Sequence, residues 1–181
     1  MSEAEKKETK DPTALSLATT NSAGQPDVRM VLLKGLNSEG FLFYTNLNSS
    51  KSRDLRENPK AAMCFHWKSF NRQIRILGNV IQVNDKEADL YFKSRPYESK
   101  INAWASDQSK PMNERSEFLK KIEDFKKKYK NEKNVPRPPH WSGWCLKPLS
   151  IEFWLHKDNR NHERLRYNKI SKGWKKEILY P

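Results

Sequence analysis

Cysteine and long apolar runs are scarce in this chain of 181 residues, and each scarcity excludes a class of protein. The two cysteines, Cys64 and Cys145, lie far apart and form no C-x-x-C pair. We therefore expect neither a disulfide framework nor a thiolate zinc site, and both thiols should be reduced. The four histidines lack the spacing of metal ligands, so no metal site is predicted. No apolar run reaches the ~18 residues that a membrane-spanning helix needs.

The first ten residues, MSEAEKKETK, are charged and contain no apolar segment. A secretory signal is therefore not expected, and the protein is predicted to be cytoplasmic. We interpret residues 1–10 as a short charged tail and residues 11–181 as a single domain, the size of chain that builds one core.

Positive charge predominates, with 35 Lys and Arg against 22 Asp and Glu and a formal net charge of +13. This balance predicts anionic ligands. A nucleic acid is one alternative, because residues 120–133, KKIEDFKKKYKNEK, are rich in lysine. Phe118, Ile122, Phe125 and Tyr129, however, follow helical spacing, which makes the lysines a solvated helix face, so no nucleic-acid partner is predicted. The lean apolar content, 35%, indicates instead that a partner subunit completes part of the core.

Turn residues and apolar periodicity divide the chain into a β-rich beginning, a helical middle and a β-rich end. Strands are predicted at 13–20, 27–36, 41–46, 60–67, 72–83, 143–148, 150–156, 159–167 and 175–180, and helices at 49–59, 84–94, 97–106 and 112–130. The predicted fold class is α+β, mainly β: an antiparallel barrel with flanking helices.

The segment NRNHERLRY, residues 159–167, places Arg160, His162, Arg164 and Arg166 at every second position. In an extended strand these four side chains share one face. Their mutual repulsion predicts that an anion binds there.

Tyr91, Arg95 and Ser99 recur every four residues, which on one helix forms a single face. Two hydroxyls around a guanidinium would suit a phosphate group. Pro96 interrupts the helical pattern, so spacing alone leaves this phosphate site and an ordinary polar helix face equally open.

Seven segments together resemble the pyridoxamine 5'-phosphate oxidase family, in the family's order and spacing. They are RMVLLK, FYTN, RQIRILG, YFKSRP, AWASDQS, IEFWL and RNHERLRY. The likeness extends from DPTA, residues 11–14, to the final LYP. It implies an FMN-binding split barrel that forms a homodimer, with the flavin at the subunit interface.

The resemblance also implies roles for individual residues. The positions that match FMN contacts are Arg29, Met30, Val31, Leu32, Leu33, Lys34, Tyr44, Thr45, Lys51, Gln73, Gln108, Ser109, Trp154 and Arg164. The family supplies the last two from the other subunit. Substrate contacts match Lys34, Tyr91, Arg95 and Ser99, together with Arg160 and His162, which also match the catalytic positions.

The implied reaction is the oxidation of pyridoxamine 5'-phosphate or pyridoxine 5'-phosphate to pyridoxal 5'-phosphate. A hydride passes from the substrate to FMN, and O2 accepts the electrons and becomes H2O2. The alternative is a split-barrel flavoprotein without oxidase activity, either a flavin reductase or an FMN-binding protein. Such a protein would keep the FMN contacts but would have no need of the substrate set.

Two departures from the family pattern are visible. Ser50 stands where the family usually has a phosphate-binding arginine next to the lysine that matches Lys51. The family also carries an N-terminal lid over the substrate, and MSEAEKKE resembles only the end of that segment's helix. We expect both departures to affect affinity more than the type of reaction.

Overall fold

The computed structural model describes residues 1–8 and 10–181, so Thr9 of the predicted tail lies outside the described residues. The chain forms two compact units. The first unit contains Met1–Phe43, Asp54–Ile81 and Cys145–Pro181, and the second contains Tyr44–Arg53 and Gln82–Trp144. The interpretation of residues 11–181 as one domain stays a prediction.

The described residues contain nine strands of one sheet. They are β1 (Ala14–Thr20), β2 (Pro26–Leu32), β3 (Gly35–Leu36), β4 (Phe41–Asn46), β5 (Lys60–Trp67), β6 (Arg72–Gln82), β7 (Trp141–Leu155), β8 (Glu163–Ile170) and β9 (Gly173–Leu179). Their order is β2-β1-β5-β6-β7-β4-β3, and β8 joins β7 to β9. The pairs β1–β2, β1–β5, β5–β6, β7–β8 and β8–β9 are antiparallel, which confirms the predicted class of sheet.

Five α-helices accompany the sheet in the described part of the chain. They are α1 (Ser2–Lys7), α2 (Ser50–Glu57), α3 (Asp85–Ser94), α4 (Tyr97–Ala105) and α5 (Arg115–Lys128). None of the helices among residues 1–8 and 10–181 is long and apolar enough to cross a membrane. Cys64 and Cys145 are free thiols, as predicted.

The core of the first unit follows from the alternation of apolar residues along its strands. Leu17 of β1 pairs with Met63 of β5, which pairs with Ile76 of β6, and all three side chains are buried. Each such side chain contributes roughly 1.5–3 kcal/mol when it leaves water. The sheet is therefore anchored by one face of β1, β5 and β6.

The largest differences from the predicted strands occur at three places. The predicted strand 27–36 is interrupted, because Leu33 donates its N–H to Thr13 while Lys34 donates to Leu42. The predicted strands 143–148 and 150–156 are one continuous strand, β7. Residues 159–162 of the predicted strand 159–167 lie outside β8, because a short 3₁₀ turn, Asp158–Arg160, precedes β8, which begins at Glu163.

The helices of the second unit match their sequence signals. Asn84 caps α3 by accepting a hydrogen bond from the N–H of Glu87 at 2.9 Å, as the capping pattern predicts. Ile122, Phe125 and Tyr129 of the α5 region pack against a buried cluster that includes Phe92, Ile101 and Trp141. Three of the four residues predicted to form the apolar face are therefore confirmed, and the helix, Arg115–Lys128, is shorter than the predicted 112–130.

Candidate functional site

A polar cluster in the second unit brings together several residues that the sequence predicted to bind a cofactor. Lys51, on α2, is buried, and its Nζ lies 3.4 Å from Thr45 Oγ1. Thr45 in turn donates to Gln108 Oε1 at 3.2 Å. Ser50 Oγ lies 3.4 Å from Ser109 Oγ. One amine, three hydroxyls and one amide thus lie close together on α2, at the end of β4 and after α4.

An aromatic stack in the same unit supports a guanidinium. The ring of Tyr44 lies 3.9 Å from that of Tyr91 and 5.4 Å from that of Trp141. The Arg95 Cζ lies 4.6 Å from the centre of the Trp141 ring, within the range of a cation–π interaction. We call Tyr91, Arg95 and Trp141 the Arg95 cradle.

The guanidinium of this cradle is only partly satisfied. Arg95 Nη1 is buried and has no hydrogen-bond partner among residues 1–8 and 10–181. Burial lowers the pKa of Arg95, and the neighbouring Tyr91 opposes that change. Burial likewise raises the pKa of Tyr91, which keeps its hydroxyl protonated and able to donate. Because a buried charged donor without a partner is costly, the cradle is suited to an anionic ligand.

Tyr91, Arg95 and Ser99, whose spacing left a shared helix face open, do not lie on one helix. α3 ends at Ser94, and Arg95 is extended (φ −72°, ψ 149°) before Pro96, because a residue that precedes proline is disfavoured in helical geometry. α4 begins at Tyr97, which places Ser99 in its first turn and Arg95 just before it. The N–H groups of a first helical turn attract anions, so Arg95 and Ser99 still lie at an end of α4 that favours phosphate.

The predicted cofactor segment on β2 and the residues after it have a mixed environment. Arg29 donates to Thr19 Oγ1 at 2.6 Å and to Asp27 Oδ2 at 2.5 Å, so nearby groups already satisfy much of its guanidinium. Met30 and Leu32 are exposed, Leu33 is buried, and Lys34 is exposed. The alternation of the strand therefore sends this segment's side chains to two faces.

A cavity of about 1260 Å³ in the first unit collects another part of the predicted set. Gln73, Trp154, His162 and Arg164 all line it. Trp154 and Arg164 are directly paired across β7 and β8, so their side chains leave the same face of the sheet. α1 contributes Glu3 and the buried Ala4 to the lining of the same cavity.

His162 is oriented by its surroundings. Its ring lies 4.6 Å from that of Trp154 and 5.1 Å from that of His156. The backbone N–H of Lys157 donates to His162 Nδ1 at 3.3 Å. When the imidazole is neutral, this contact leaves the proton on Nε2, because only one ring nitrogen can then accept. His162 is therefore set to donate a hydrogen bond through Nε2.

The predicted row of four cations on one extended strand is wrong. Arg160 lies in the 3₁₀ turn with φ 59°, next to Asn159 with φ 54°, and this left-handed backbone breaks the alternation before β8 begins. Arg160 is exposed. Only Arg164 and Arg166 share a strand face, and each is paired with a carboxylate, Glu152 and Glu177 respectively.

The sequence reasoning missed two residues that hold predicted site arginines, namely Glu152, which binds Arg164, and Trp141, which lies against Arg95. Glu152 is a buried carboxylate on β7, two residues before Trp154, so the alternation of IEFW could have placed the two on one face. Trp141 supports Arg95, but only its position in the fold shows this, because 46 residues separate them. In the described part of the chain, no group of three or more His, Cys, Asp or Glu side chains could hold a metal ion.

Comparison with solved structures defines the class of fold. The chain superposes on PhzG from Burkholderia lata 383, crystallised in complex with tetrahydrophenazine-1-carboxylic acid, with a TM-score of 0.90, 30% identity, and coverage of 95% of this chain and 84% of that one. A pyridoxamine 5'-phosphate oxidase-related, FMN binding protein from Nostoc punctiforme gives a TM-score of 0.80 at 16% identity, covering 99% and 95% of the two chains. The fold is the split barrel that these two structures share, which confirms the predicted architecture.

Sequence comparison identifies the family. Residues 1–129 match the family profile described as pyridoxamine 5'-phosphate oxidase, and residues 141–181 match the pyridoxine 5'-phosphate oxidase C-terminal dimerisation region. Pyridoxine/pyridoxamine 5'-phosphate oxidase from Pelagibacter ubique is 58% identical over the whole chain and 88% of the relative. The protein of the same name from Hyphomonas neptunium is 50% identical, over the whole chain and 83% of the relative. The chain belongs to the pyridoxamine 5'-phosphate oxidase family.

Proposed function

We propose that the protein is an FMN-dependent oxidase that converts pyridoxamine 5'-phosphate and pyridoxine 5'-phosphate to pyridoxal 5'-phosphate, with O2 as acceptor and H2O2 as product. Full-length relatives of that name, 58% and 50% identical, support the reaction. The observation in the structure that carries it is the Arg95 cradle, whose buried Nη1 has no hydrogen-bond partner among the described residues. A substrate phosphate would supply that partner.

The residues of the polar cluster fit FMN as the cofactor. A phosphorylated, hydroxylated ligand needs a cation and several neutral donors, and Lys51, Thr45, Gln108 and Ser109 provide both. FMN, when bound, supplies the two-electron acceptor for the hydride that leaves the substrate. Burial of the Lys51 side chain holds its amine in one place, which reduces the entropy lost when an anion binds.

The substrate phosphate is assigned to Tyr91, Arg95 and Ser99, with Lys34 as a further cation. The Trp141 ring restricts the plane of the Arg95 guanidinium, and a planar fork of donors matches two phosphate oxygens. The Tyr91 hydroxyl remains protonated because burial raises its pKa. The cradle thus offers donors of fixed direction and one full positive charge.

His162 and Arg160 are assigned to the substrate ring. The Lys157 N–H contact sets His162 to donate through Nε2, so its role is to orient and polarise the substrate and not to abstract a proton. Arg160, at the exposed end of the turn before β8, adds a second donor. Neither side chain is given the role of an obligatory base.

A homodimer is the proposed assembly, with Trp154 and Arg164 contributing to the partner's flavin site. The match of residues 141–181 to a dimerisation region supports it. So do four large apolar residues of the β8–β9 region, of which Ile178 is 83% exposed and Tyr180 93% exposed in the single chain. Light scattering should give about twice the 21.4 kDa of the chain, and a species of one chain mass after FMN loading would contradict the proposal.

The cytoplasm is the proposed location, and residues 11–181 are proposed to act as one domain preceded by the tail 1–10. The alternative function, a flavin reductase or an FMN-binding protein, needs the polar cluster but not the Arg95 cradle. An assay of the purified protein with FMN and pyridoxine 5'-phosphate separates the two. The oxidase forms pyridoxal 5'-phosphate and H2O2 in equal amounts, whereas FMN binding without either product would favour the alternative.

A further inference from the structure

Glu152 is a buried carboxylate to which the sequence assigned no role. Its side chain is 10% exposed, and its Oε1 accepts two hydrogen bonds from Arg164, one from Nε at 2.9 Å and one from Nη2 at 2.8 Å. Its other oxygen, Oε2, lies 3.6 Å from Nη1 of Arg75 on β6. One carboxylate therefore lies between two guanidinium groups on a single face of the sheet.

This arrangement fixes the direction of the Arg164 side chain. A guanidinium has five N–H donors in one plane. Glu152 takes two of them, and the carbonyl oxygen of Tyr180 accepts a third from Nη1 at 3.1 Å. The remaining two N–H groups, one on each Nη, have no partner among the described residues. Because the plane is held at three points, these two donors have a defined direction.

The ion pair of Arg166 on the same strand is more exposed than the pair of Glu152 and Arg164. Arg166 is also paired with a carboxylate, Glu177, at 2.8 Å, but the side chains of this pair are 39% and 26% exposed. Arg166 does not line the cavity that contains Trp154, His162 and Arg164. A more exposed ion pair constrains its members less, because water competes for the same groups.

We propose that Glu152 is a positioning residue for the flavin site, acting through Arg164. It holds the Arg164 guanidinium in the plane and direction in which its two remaining N–H groups meet FMN. It also compensates the charges of Arg164 and Arg75, which otherwise repel each other. The inference rests on the proposed function, because Arg164 is assigned there as a flavin contact.

A double-mutant cycle on FMN affinity tests the inference. The variants are Glu152→Gln, Arg164→Met and the combination of both, each titrated as apo-protein by quenching of flavin fluorescence. Since a hydrogen bond to a charged group is worth more than a neutral one, Glu152→Gln should weaken FMN binding by about tenfold. The double variant should bind FMN no more weakly than Arg164→Met alone, because Glu152 acts only through that side chain.

Glu177→Gln is the matched control, since it removes the carboxylate of the neighbouring pair, and its FMN affinity should stay within about twofold of the unsubstituted protein. The visible circular dichroism of bound flavin at saturation gives a second readout, which changes in Glu152→Gln and not in Glu177→Gln. If Glu152→Gln fails to fold, Glu152→Asp replaces it in the cycle, because it keeps the charge but draws the carboxylate back by one methylene.

The outcomes separate this inference from the proposed function. If the unsubstituted protein binds no FMN, the proposed function fails. If Arg164→Met weakens FMN binding but the Glu152 variant does not, only the positioning role is overturned. Additive losses in the double variant overturn it as well, because they would mean that Glu152 acts independently of Arg164.

Discussion

Three arginines of the first unit and Arg95 of the second unit differ in how their charges are satisfied. In the first unit, Arg29, Arg164 and Arg166 all form ion pairs with carboxylates. In the second unit, Arg95 lies on the Trp141 ring, forms no ion pair with a described residue, and keeps a buried Nη1 without a hydrogen-bond partner. Contacts within the protein orient the paired arginines, whereas Arg95 needs a ligand to supply the missing hydrogen-bond partner of its Nη1.

This difference indicates two uses for positive charge in one chain. A guanidinium paired with a carboxylate has N–H donors of fixed direction, and the ion pair as a whole carries almost no net charge. Such a pair suits contact with a largely neutral ring system. An unpaired, partly buried guanidinium contributes its full charge to whatever anion reaches it. The net charge of +13 alone could not distinguish these uses.

Among substitutions in the first unit, replacement of His162 should cause the largest loss of turnover. His162→Ala removes the Nε2 donor that polarises the substrate, and loss of one such donor costs about a hundredfold in turnover. Arg160→Ala should act in the same direction. FMN affinity, measured by fluorescence titration, should be unchanged in both, because neither residue is assigned to the flavin.

His156→Ala is the control for this comparison, since its ring lies 5.1 Å from that of His162 without an assigned substrate contact. Its turnover should stay close to that of the unsubstituted protein. A variant of His162 or Arg160 that lost FMN but oxidised substrate normally at high FMN would contradict the assignment.

Substitution of Gly143 should disturb the aromatic stack of the second unit. A Cβ at this position would lie 2.6 Å from Tyr44 Cε1 and 3.0 Å from Val83 Cγ2, so the Tyr44 ring, which stacks on Tyr91, must shift. We expect Gly143→Ala to lower the free energy of unfolding by about 1–3 kcal/mol, the usual cost of overpacking. Chemical denaturation measures this directly.

The adjacent Ser142→Ala serves as a control for the Gly143 variant. Ser142 Oγ is buried without a hydrogen-bond partner among the described residues, so removal of its hydroxyl should leave stability unchanged or raise it. An unchanged stability of Gly143→Ala would mean that the Tyr44 stack is loose, and the account of a rigid cradle would then be wrong.

Addition of a cation to the second unit should change FMN affinity only slightly, and this is the smallest of the expected effects. Ser50 lies beside Ser109 and next to Lys51, at the position where the resemblance led us to expect an arginine. Ser50→Arg should tighten FMN binding by about 1 kcal/mol, less than the full worth of a charged hydrogen bond because the site is partly exposed. This corresponds to roughly a fivefold lower Kd.

The Ser50→Arg effect should shrink as salt is raised, since it is largely Coulombic, and Ser50→Gln should not reproduce it. Turnover at saturating FMN should hardly change. Equal FMN affinities of Ser50→Arg and the unsubstituted protein at low salt would mean that Ser50 does not face the flavin phosphate.

The sequence predicted the fold where local signals were strong. The limits of β5 agree with the predicted strand at 60–67, and the Asn84 cap agrees with the start of α3, because alternation and capping act over a few residues. The family and split-barrel fold are also confirmed. The assigned roles of the site residues stay predictions.

The parts that failed depend on backbone geometry and distant partners. The prediction from the alternation in NRNHERLRY did not include the left-handed backbone of Asn159 and Arg160. It therefore placed four cations on one face, whereas only Arg164 and Arg166 share a strand face, each paired with a carboxylate. The spacing of Tyr91, Arg95 and Ser99 left a shared helix face open because Pro96 interrupts the pattern, and the structure divides the three residues between α3, its C-cap and α4. The ion pair between Glu152 and Arg164 joins two strands, and no local pattern encodes it.

The most direct test of the central claim compares a phosphorylated and an unphosphorylated substrate in Arg95→Met. If Arg95 receives the substrate phosphate, the variant should lose about 1.5–3 kcal/mol of transition-state stabilisation, roughly ten- to a hundredfold in kcat/KM, for pyridoxine 5'-phosphate. It should lose nothing for pyridoxine, and FMN affinity and Tm should be maintained. An equal loss for both substrates, or no loss for the phosphorylated one, would show that Arg95 does not bind the substrate phosphate.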